Sequence, residues 1–229
     1  MVTLLIVAST LGRDGTSRFI TYLANNLTKS NKVKVKLLFF RNISEDSKSM
    51  LDDDVEVSCL EVQGKLWSSF YKILNNVLNS KADFCLFGFH QLLWLSLINF
   101  VFHLFGIKIL LRDTIIPSLF HAGESRLRTI INRIAYRKYD YIIAQSKDMF
   151  DDLSTNWRCD KDKMMVINNP VDINSVNNSV GDCPQELLDK HIYTFIAAGR
   201  LAYQKGYDII IERMSEVKSN LNFNLLILG

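Results

Sequence analysis

Short, largely apolar runs recur along this chain with room for helices between them: residues 2–8, 33–40 (the early part alternating with Lys32, Lys34 and Lys36), 83–87, 107–111, 141–144 and 164–167. A strand that is apolar at nearly every position must bury both of its faces, and the interior of a parallel sheet is where that happens. The segments between carry the helical period instead. In 16–28, for example, Phe19, Tyr22, Leu23, Ala24 and Leu27 fall on one side. Residues 67–78 and 125–138 read as helices, and Ser146 is placed to cap a short one running to 153. Residues 55–62 read as an edge strand and the polar stretch 42–54 as a loop. The fold class is therefore α/β: a Rossmann-like parallel sheet with helices on both faces, which binds ligands at the carboxyl ends of its strands.

A second, shorter pattern follows. Residues 170–189 are rich in Asn and Ser and are broken by Gly181 and Pro184, so they read as a linker. Beyond them lie a strand at 193–198, a helix at 206–218 and a strand at 223–228. The expected organisation is a complete Rossmann-like domain over 1–169, a linker over 170–189, and an incomplete second Rossmann-like domain over 190–229. One βαβ unit cannot cover both faces of its own sheet, so this last piece is expected to be a stub.

Composition narrows the class further. A hydrophobic content of 48% against 22% charged residues supplies a globular core, and a net charge of +3 is too small to favour a nucleic-acid partner. Cys59, Cys85, Cys159 and Cys183 are isolated from one another and read as thiols in a reducing compartment. His90, His103, His121 and His191 lack metal-ligand spacing, so no metal is expected. Residues 1–8 have no basic flank or cleavage site and read as a buried strand, which predicts a cytoplasmic protein. The stretch 84–107 contains no charged residue and is long enough to span a membrane. Gly88, His90, Gln91, Asn99, His103 and Gly106 interrupt it, which favours a strand, a helix over 92–105 and a further strand.

Two strand-to-helix loops carry the chemistry. The first, Ser9 to Arg18, contains Gly12, Arg13 and Gly15. Glycine lets backbone approach a ligand, and free N–H groups at the start of the following helix favour an anion; a tight turn would use the same residues. In the second loop, Gly199-Arg200 and Lys205-Gly206 set two cations around a turn that can close on phosphate oxygens. Two solvated charges are the alternative.

Gly199-Arg200-Leu201 followed by Gln204-Lys205-Gly206 resembles the opening of the second domain in glycosyltransferase family 4, of the GT-B fold. The resemblance extends along the chain in order: Gly15-Thr16-Ser17-Arg18, Tyr141 to Ser146, Asn169-Pro170-Val171-Asp172, and Leu225 to Gly229. It implies retaining transfer of a sugar from a nucleoside diphosphate sugar to a glycan or lipid-linked acceptor, without a cofactor or metal. By position, Arg200 and Lys205 would hold the donor diphosphate and stabilise the leaving group, with Gly199 in the same loop and Gly15 beside the diphosphate or the transferring sugar. Asn169 and Asp172 would shape the crossover between domains.

The chain departs from that family in two places. Where many members carry a histidine at a strand end of the first domain, this chain has Arg112-Asp113. Arg112 is then either a substrate contact or half of an ordinary ion pair, and His90, Arg112 and Asp113 are the candidates for the acceptor side. The family's E-x7-E stretch, which grips the donor ribose, would lie beyond Gly229, so this chain is expected to be truncated and inactive alone. A partner chain supplying the missing half, or a non-catalytic role in binding an acceptor, membrane or partner, is the competing expectation. On 125–138, Arg126, Arg133 and Arg137 share a face beside a stripe of Leu127, Ile130, Ile131 and Ile134. That suits peripheral contact with an anionic inner-membrane face, or equally a solvated helix whose stripe covers the core.

Overall fold

The computed structural model describes residues 1–12, 14–62, 70–87, 95–178, 181, 192–217 and 223–229. They divide into two compact units, 1–171 and 172–229. The first unit is built on seven strands: β1 (Val2–Ala8), β2 (Val33–Phe39), β3 (Glu56–Cys59), β4 (Phe84–Phe87), β5 (Lys108–Arg112), β6 (Tyr141–Ala144) and β7 (Met164–Val166). All pair in parallel in the order β3-β2-β1-β4-β5-β6-β7. The order reverses between β1 and β4, so the crevice where such sheets bind ligands opens beside the end of β1.

Alternation along the strands sends successive residues to opposite faces, and both faces are covered. Leu5 and Val7 join a core with α3 (Phe70–Asn79), α4 (Asn99–Leu104), α6 (Arg126–Arg137) and α7 (Lys147–Thr155), through Ile73, Phe102, Tyr136 and Leu153. Ile6 and Ala8 join the other core, with Ile20 and Ala24 of α1 (Gly15–Lys29). This is why β1 reads as an unbroken apolar run, and β2 does so from Leu37, after an early part that alternates with Lys34 and Lys36. Ser146 caps α7, its hydroxyl accepting from the Met149 amide at 3.2 Å.

Three short helices depart from the sequence reading. α2 (Glu45–Lys48) lies in the stretch read as a loop, α5 (Pro117–Phe120) was not anticipated, and α8 (Ile173–Asn178) lies in the stretch read as a linker. Four to six residues hold less than two turns, too few to show a period. Of the helix expected over 92–105, α4 is the described part, preceded by a 3₁₀ turn at 95–98. Among the described residues, no helix is long and apolar enough to cross a membrane, which removes the spanning reading for β4, α4 and β5.

The orientation of α6 corrects a second expectation. Ala135 and Tyr136 are its core-facing residues, while Leu127, Ile130, Ile131 and Ile134 lie exposed. The stripe therefore does not cover the core. Arg133 is half-buried, with an Nε that has no hydrogen-bond partner, so it does not share the exposed surface of Arg126 and Arg137.

The second unit holds a parallel pair, β8 (Tyr193–Ala198) and β9 (Phe223–Leu228), in register from Tyr193 opposite Phe223 to Ala198 opposite Leu228. Between them runs α9 (Tyr207–Ser215). Ile196, Leu228, Ile209 and Ile211 remain exposed, as a single βαβ layer dictates.

Candidate functional site

At the end of β1 the chain turns into α1 through Asp14. Its carboxylate caps the helix, accepting from the Thr16 amide at 2.9 Å, the Ser17 amide at 3.1 Å and the Ser17 hydroxyl at 3.0 Å. The Ser17 hydroxyl in turn accepts from the Gly12 amide at 2.8 Å, which closes the loop on itself. Partial burial pushes the Asp14 carboxyl up, but the donors from Ser17 and Thr16 outweigh it and hold the group below its ordinary range. This corrects the expectation that free amides here await a phosphate: a carboxylate already occupies the positive end of α1. The signal was readable, since Asp is among the preferred caps and Asp14-Gly15-Thr16-Ser17 follows a strand.

Gly15 is the first residue of α1, it is not among the residues with positive φ, and a Cβ added to it would meet nothing within 4 Å. Any demand for glycine there comes from outside the described residues of this unit. A cleft of about 420 Å³ opens beside the loop, lined by Thr10, Gly12, Ser44, Asp46, Ser47 and Met50. Arg13 and His90 lie outside the described residues.

Arg112 and Asp113 follow the strand alternation and face opposite ways. Leu111 belongs to the core on the α6 side. Arg112 therefore points to the α1 side, where its guanidinium carbon lies 3.4 Å from the centre of the Phe19 ring. Its Nη2 donates to Asn169 Oδ1, and its buried Nε has no partner among the described residues. Among the described residues Arg112 makes no salt bridge, so the ordinary ion pair is not formed. Burial pushes its pKa down to about 10, which leaves it cationic at neutral pH.

Asp113 turns to the α6 side and is 3% exposed. Tyr136 Oη donates to its Oδ2 at 2.6 Å, while Oδ1 is buried without a partner among the described residues. Burial raises the carboxyl to about 6 against the opposing pull of the Tyr136 hydroxyl. Its backbone carbonyl accepts from Gln145 Nε2, and the Gln145 carbonyl accepts from Asn168 Nδ2 at 3.1 Å. The segments after β5, β6 and β7 are thus tied together. The Asp113 carboxylate is buried against α6 in this arrangement. Sequence reading missed Phe19, Tyr136 and Gln145; the only trace of the arrangement was the polar pair 112–113 ending an apolar strand.

In the second unit Gly199, Arg200 and Lys205 share the loop from β8 to α9, with Arg200 and Lys205 both exposed. Gly199 has φ +151° and Gly206 φ +63°, backbone that side chains resist. An added Cβ on Gly199 would lie 3.1 Å from Tyr207 Oη and 3.4 Å from Lys205 Cε. Tyr207 Oη donates to the Gly199 carbonyl at 2.7 Å, pinning the two ends of the loop together. Tyr207 is a further residue of this site that the sequence did not single out. The loop sets two cations on a short, tethered turn at the carboxyl end of its pair of strands, and such a turn can grip an anion from two sides.

A seven-stranded parallel unit with its crevice beside β1, followed by a second parallel unit opening on a dibasic strand-to-helix loop, defines a GT-B type chain. The chain belongs to glycosyltransferase family 4, whose family model matches residues 13–175. No curated protein matches it. Among solved structures it is similar to HepE from Anabaena, determined in complex with UDP and glucose, at 14% identity and TM-score 0.70 over 99% of this chain and 60% of that one. It is also similar to sucrose-phosphate synthase from Thermosynechococcus elongatus, at 11% identity and TM-score 0.69 over 100% of this chain and 62% of that one. A third similar structure is the lipopolysaccharide outer core galactosyltransferase WaaB in its apo form, at 15% identity and TM-score 0.63, covering 99% and 60%. At such identities the likeness is one of fold. The chain spans about 60% of the length of these structures.

Proposed function

We propose that the protein to which this chain belongs transfers a sugar from a nucleoside diphosphate sugar to a glycan or lipid-linked acceptor, in the assembly of a surface polysaccharide or glycolipid. The observation that carries the reading is the tethered loop 199–207, in which Arg200 and Lys205 are exposed around two glycines held in backbone that favours glycine. Arg200 would fork onto diphosphate oxygens and Lys205 would add a compact charge. Together they would stabilise the negative charge that grows on the departing diphosphate as the glycosidic bond breaks. UDP, found with HepE, is the first diphosphate to test. In this reading 1–169 is the acceptor-side domain and 190–229 the start of the donor-side domain. The cleft lined by Thr10, Ser44, Asp46 and Ser47 supplies hydroxyls and a carboxylate suited to sugar hydroxyls. Gly15 would lie beside the transferring sugar, because the Asp14 carboxylate at the same helix start would repel a phosphate.

Calorimetric titration of UDP, GDP and ADP into the chain, and into a longer form carrying a complete second domain, tests the assignment. Arg200→Ala and Lys205→Ala are each expected to lower diphosphate affinity by about 10- to 100-fold, the equivalent of roughly 1.5–3 kcal/mol for a charge-assisted contact. Neither should change the melting temperature, since both side chains are exposed. Unchanged affinity in either variant means the diphosphate is held elsewhere.

A further inference from the structure

Four side chains of the first unit form one buried polar chain that the proposed transfer does not use. It starts at Asp113, passes through Tyr136 and His121, and ends at Glu124 just before α6. Tyr136 Oη lies 2.6 Å from Asp113 Oδ2 and 3.5 Å from His121 Nε2, the second a long contact. His121 Nδ1 is 3.1 Å from Glu124 Oε2 and 3.2 Å from Asn132 Nδ2, which itself donates to Glu124 Oε2 at 2.8 Å. The His121 ring is held by Trp157 and Phe120, each with its ring centre 5.0 Å away. Burial, then the charge of Asp113, pushes the Tyr136 phenol up, so Tyr136 keeps its proton and serves as a bridge. The neighbouring groups stay fixed in charge: burial pushes Tyr139 and Cys85 well up and Cys159 up to about 12. Asp152 accepts from the Ser118 amide at 3.1 Å and from Asn156 Nδ2 at 2.7 Å. Arg128 pairs with Glu124 Oε1 at 3.0 Å, Arg137 is exposed, and Arg112 turns to the α1 side.

We propose that Asp113 and His121 share one proton through Tyr136, and that this proton is a pH-sensitive clasp on the turn between α5 and α6. With Asp113 protonated the hydrogen bonds run one way: Asp113 Oδ2–H to Tyr136 Oη, Tyr136 O–H to His121 Nε2, and His121 Nδ1–H to Glu124. The proton passes along this chain when the Asp113 O–H bond breaks as one forms at Tyr136 Oη, and the original Tyr136 O–H bond breaks as an N–H bond forms at Nε2. Tyr136 ends as it began, Asp113 becomes a carboxylate, and His121 becomes an imidazolium between two carboxylates. In both arrangements Nδ1–H ties His121 to Glu124. At higher pH the shared proton is lost to solvent. Tyr136 then donates to the Asp113 carboxylate, its oxygen accepts from Nε2, and the neutral ring keeps its one hydrogen there. Nδ1 becomes an acceptor and takes a hydrogen bond from Asn132 in place of its bond to Glu124, so the turn loses a tie. Burial raises the Asp113 carboxyl to about 6, so the clasp is closed below that pH and loosened above it. This inference does not depend on the diphosphate site, and its readout is separate.

The test is nitrogen NMR of labelled histidine rings in the full chain, with the His121 signals assigned by their absence in His121→Gln. Nδ1 is expected to carry a proton at about pH 5, and at about pH 8 to be bare with the proton on Nε2. The Glu124 amide donates to the His121 carbonyl at 3.2 Å. Its protection against hydrogen exchange, corrected for the intrinsic rate, is expected to fall about tenfold between the same two pH values. Tyr136→Phe cuts the bridge, so Nδ1 should keep its proton at both and the protection should no longer change. The wild-type measurement stands by itself if the phenylalanine variant fails to fold. A proton on Nδ1 of the wild type at about pH 8, protection that does not change with pH, or a Tyr136→Phe ring that follows the wild type would each overturn the proposal.

Discussion

Replacing Asp113 with asparagine should remove a pH-dependent loss of stability from the first unit. Asp113 is 3% exposed, one carboxyl oxygen bound to Tyr136 and the other buried with no partner among the described residues. Burial raises its pKa to about 6 from an ordinary 3.8. Between those values the folded chain holds a proton that the unfolded chain has released, so stability falls as pH rises through this window and levels off above about pH 7. A displacement of roughly two pH units at 1.36 kcal/mol each amounts to about 3 kcal/mol. Asparagine stays neutral. Its carbonyl can accept from Tyr136, but its amide then sits in the buried position of Oδ1, at a cost of about 1–3 kcal/mol that does not vary with pH. The wild type should therefore be the more stable form at pH 4, and by pH 8 that advantage should shrink or reverse by about 3 kcal/mol. Urea unfolding of both forms across this range measures it, and the difference between them cancels the other titrating groups. Trp157 is buried in the first unit, so its fluorescence follows the unfolding of that unit. Tyr136→Phe removes the one hydrogen bond that lowers the Asp113 pKa, and should move the window upward. A difference between wild type and Asp113→Asn that stays constant from pH 4 to 8 would refute the account of Asp113 as a buried, half-satisfied carboxyl.

Two further outcomes follow from the loops. Tyr207→Phe loses the hydroxyl that holds the Gly199 carbonyl, and calorimetry should find nucleoside diphosphate affinity lowered about two- to tenfold with Arg200 and Lys205 intact. Gly15→Val meets open space, so urea unfolding should change by less than about 1 kcal/mol. If the sugar lies beside Gly15 as proposed, transfer by a form with a complete second domain should nevertheless fall, because the branched side chain would stand in its path; normal turnover in that variant would leave Gly15 a plain helix start.

The strands were legible from their apolar runs, whether buried on both faces as β1 is or largely exposed as β8 and β9 are: the bounds of all three in the structure are those read from the sequence. Long helices were legible by period and short ones were not. For α6 the period revealed a stripe but not its direction. Sequence pattern assumes that the larger apolar side chains turn inward, yet here Ala135 and Tyr136 do so, because Tyr136 has a buried carboxylate to reach and a small residue lets the helix lie close to the sheet. The same limit applies to Asp14. The glycine loop was visible, but whether its amides were free depended on where one carboxylate turned.

Arg112 and Asp113 show how adjacent charges come to be kept apart. A strand sends neighbours to opposite faces, so the two cannot neutralise one another, and each is met by uncharged groups: a phenyl ring and an amide for Arg112, a phenol for Asp113. Replacing a histidine by arginine at this strand end thus changes more than side-chain length. A neutral imidazole can exchange a proton near neutral pH, whereas a guanidinium with its pKa near 10 cannot. What Arg112 contributes is a fixed positive charge with no carboxylate paired to it among the described residues, held between Phe19 of α1 and the segment carrying Asn169. Any role it takes at the carboxyl edge of the sheet is one of charge and position, and proton transfer must be carried by other groups.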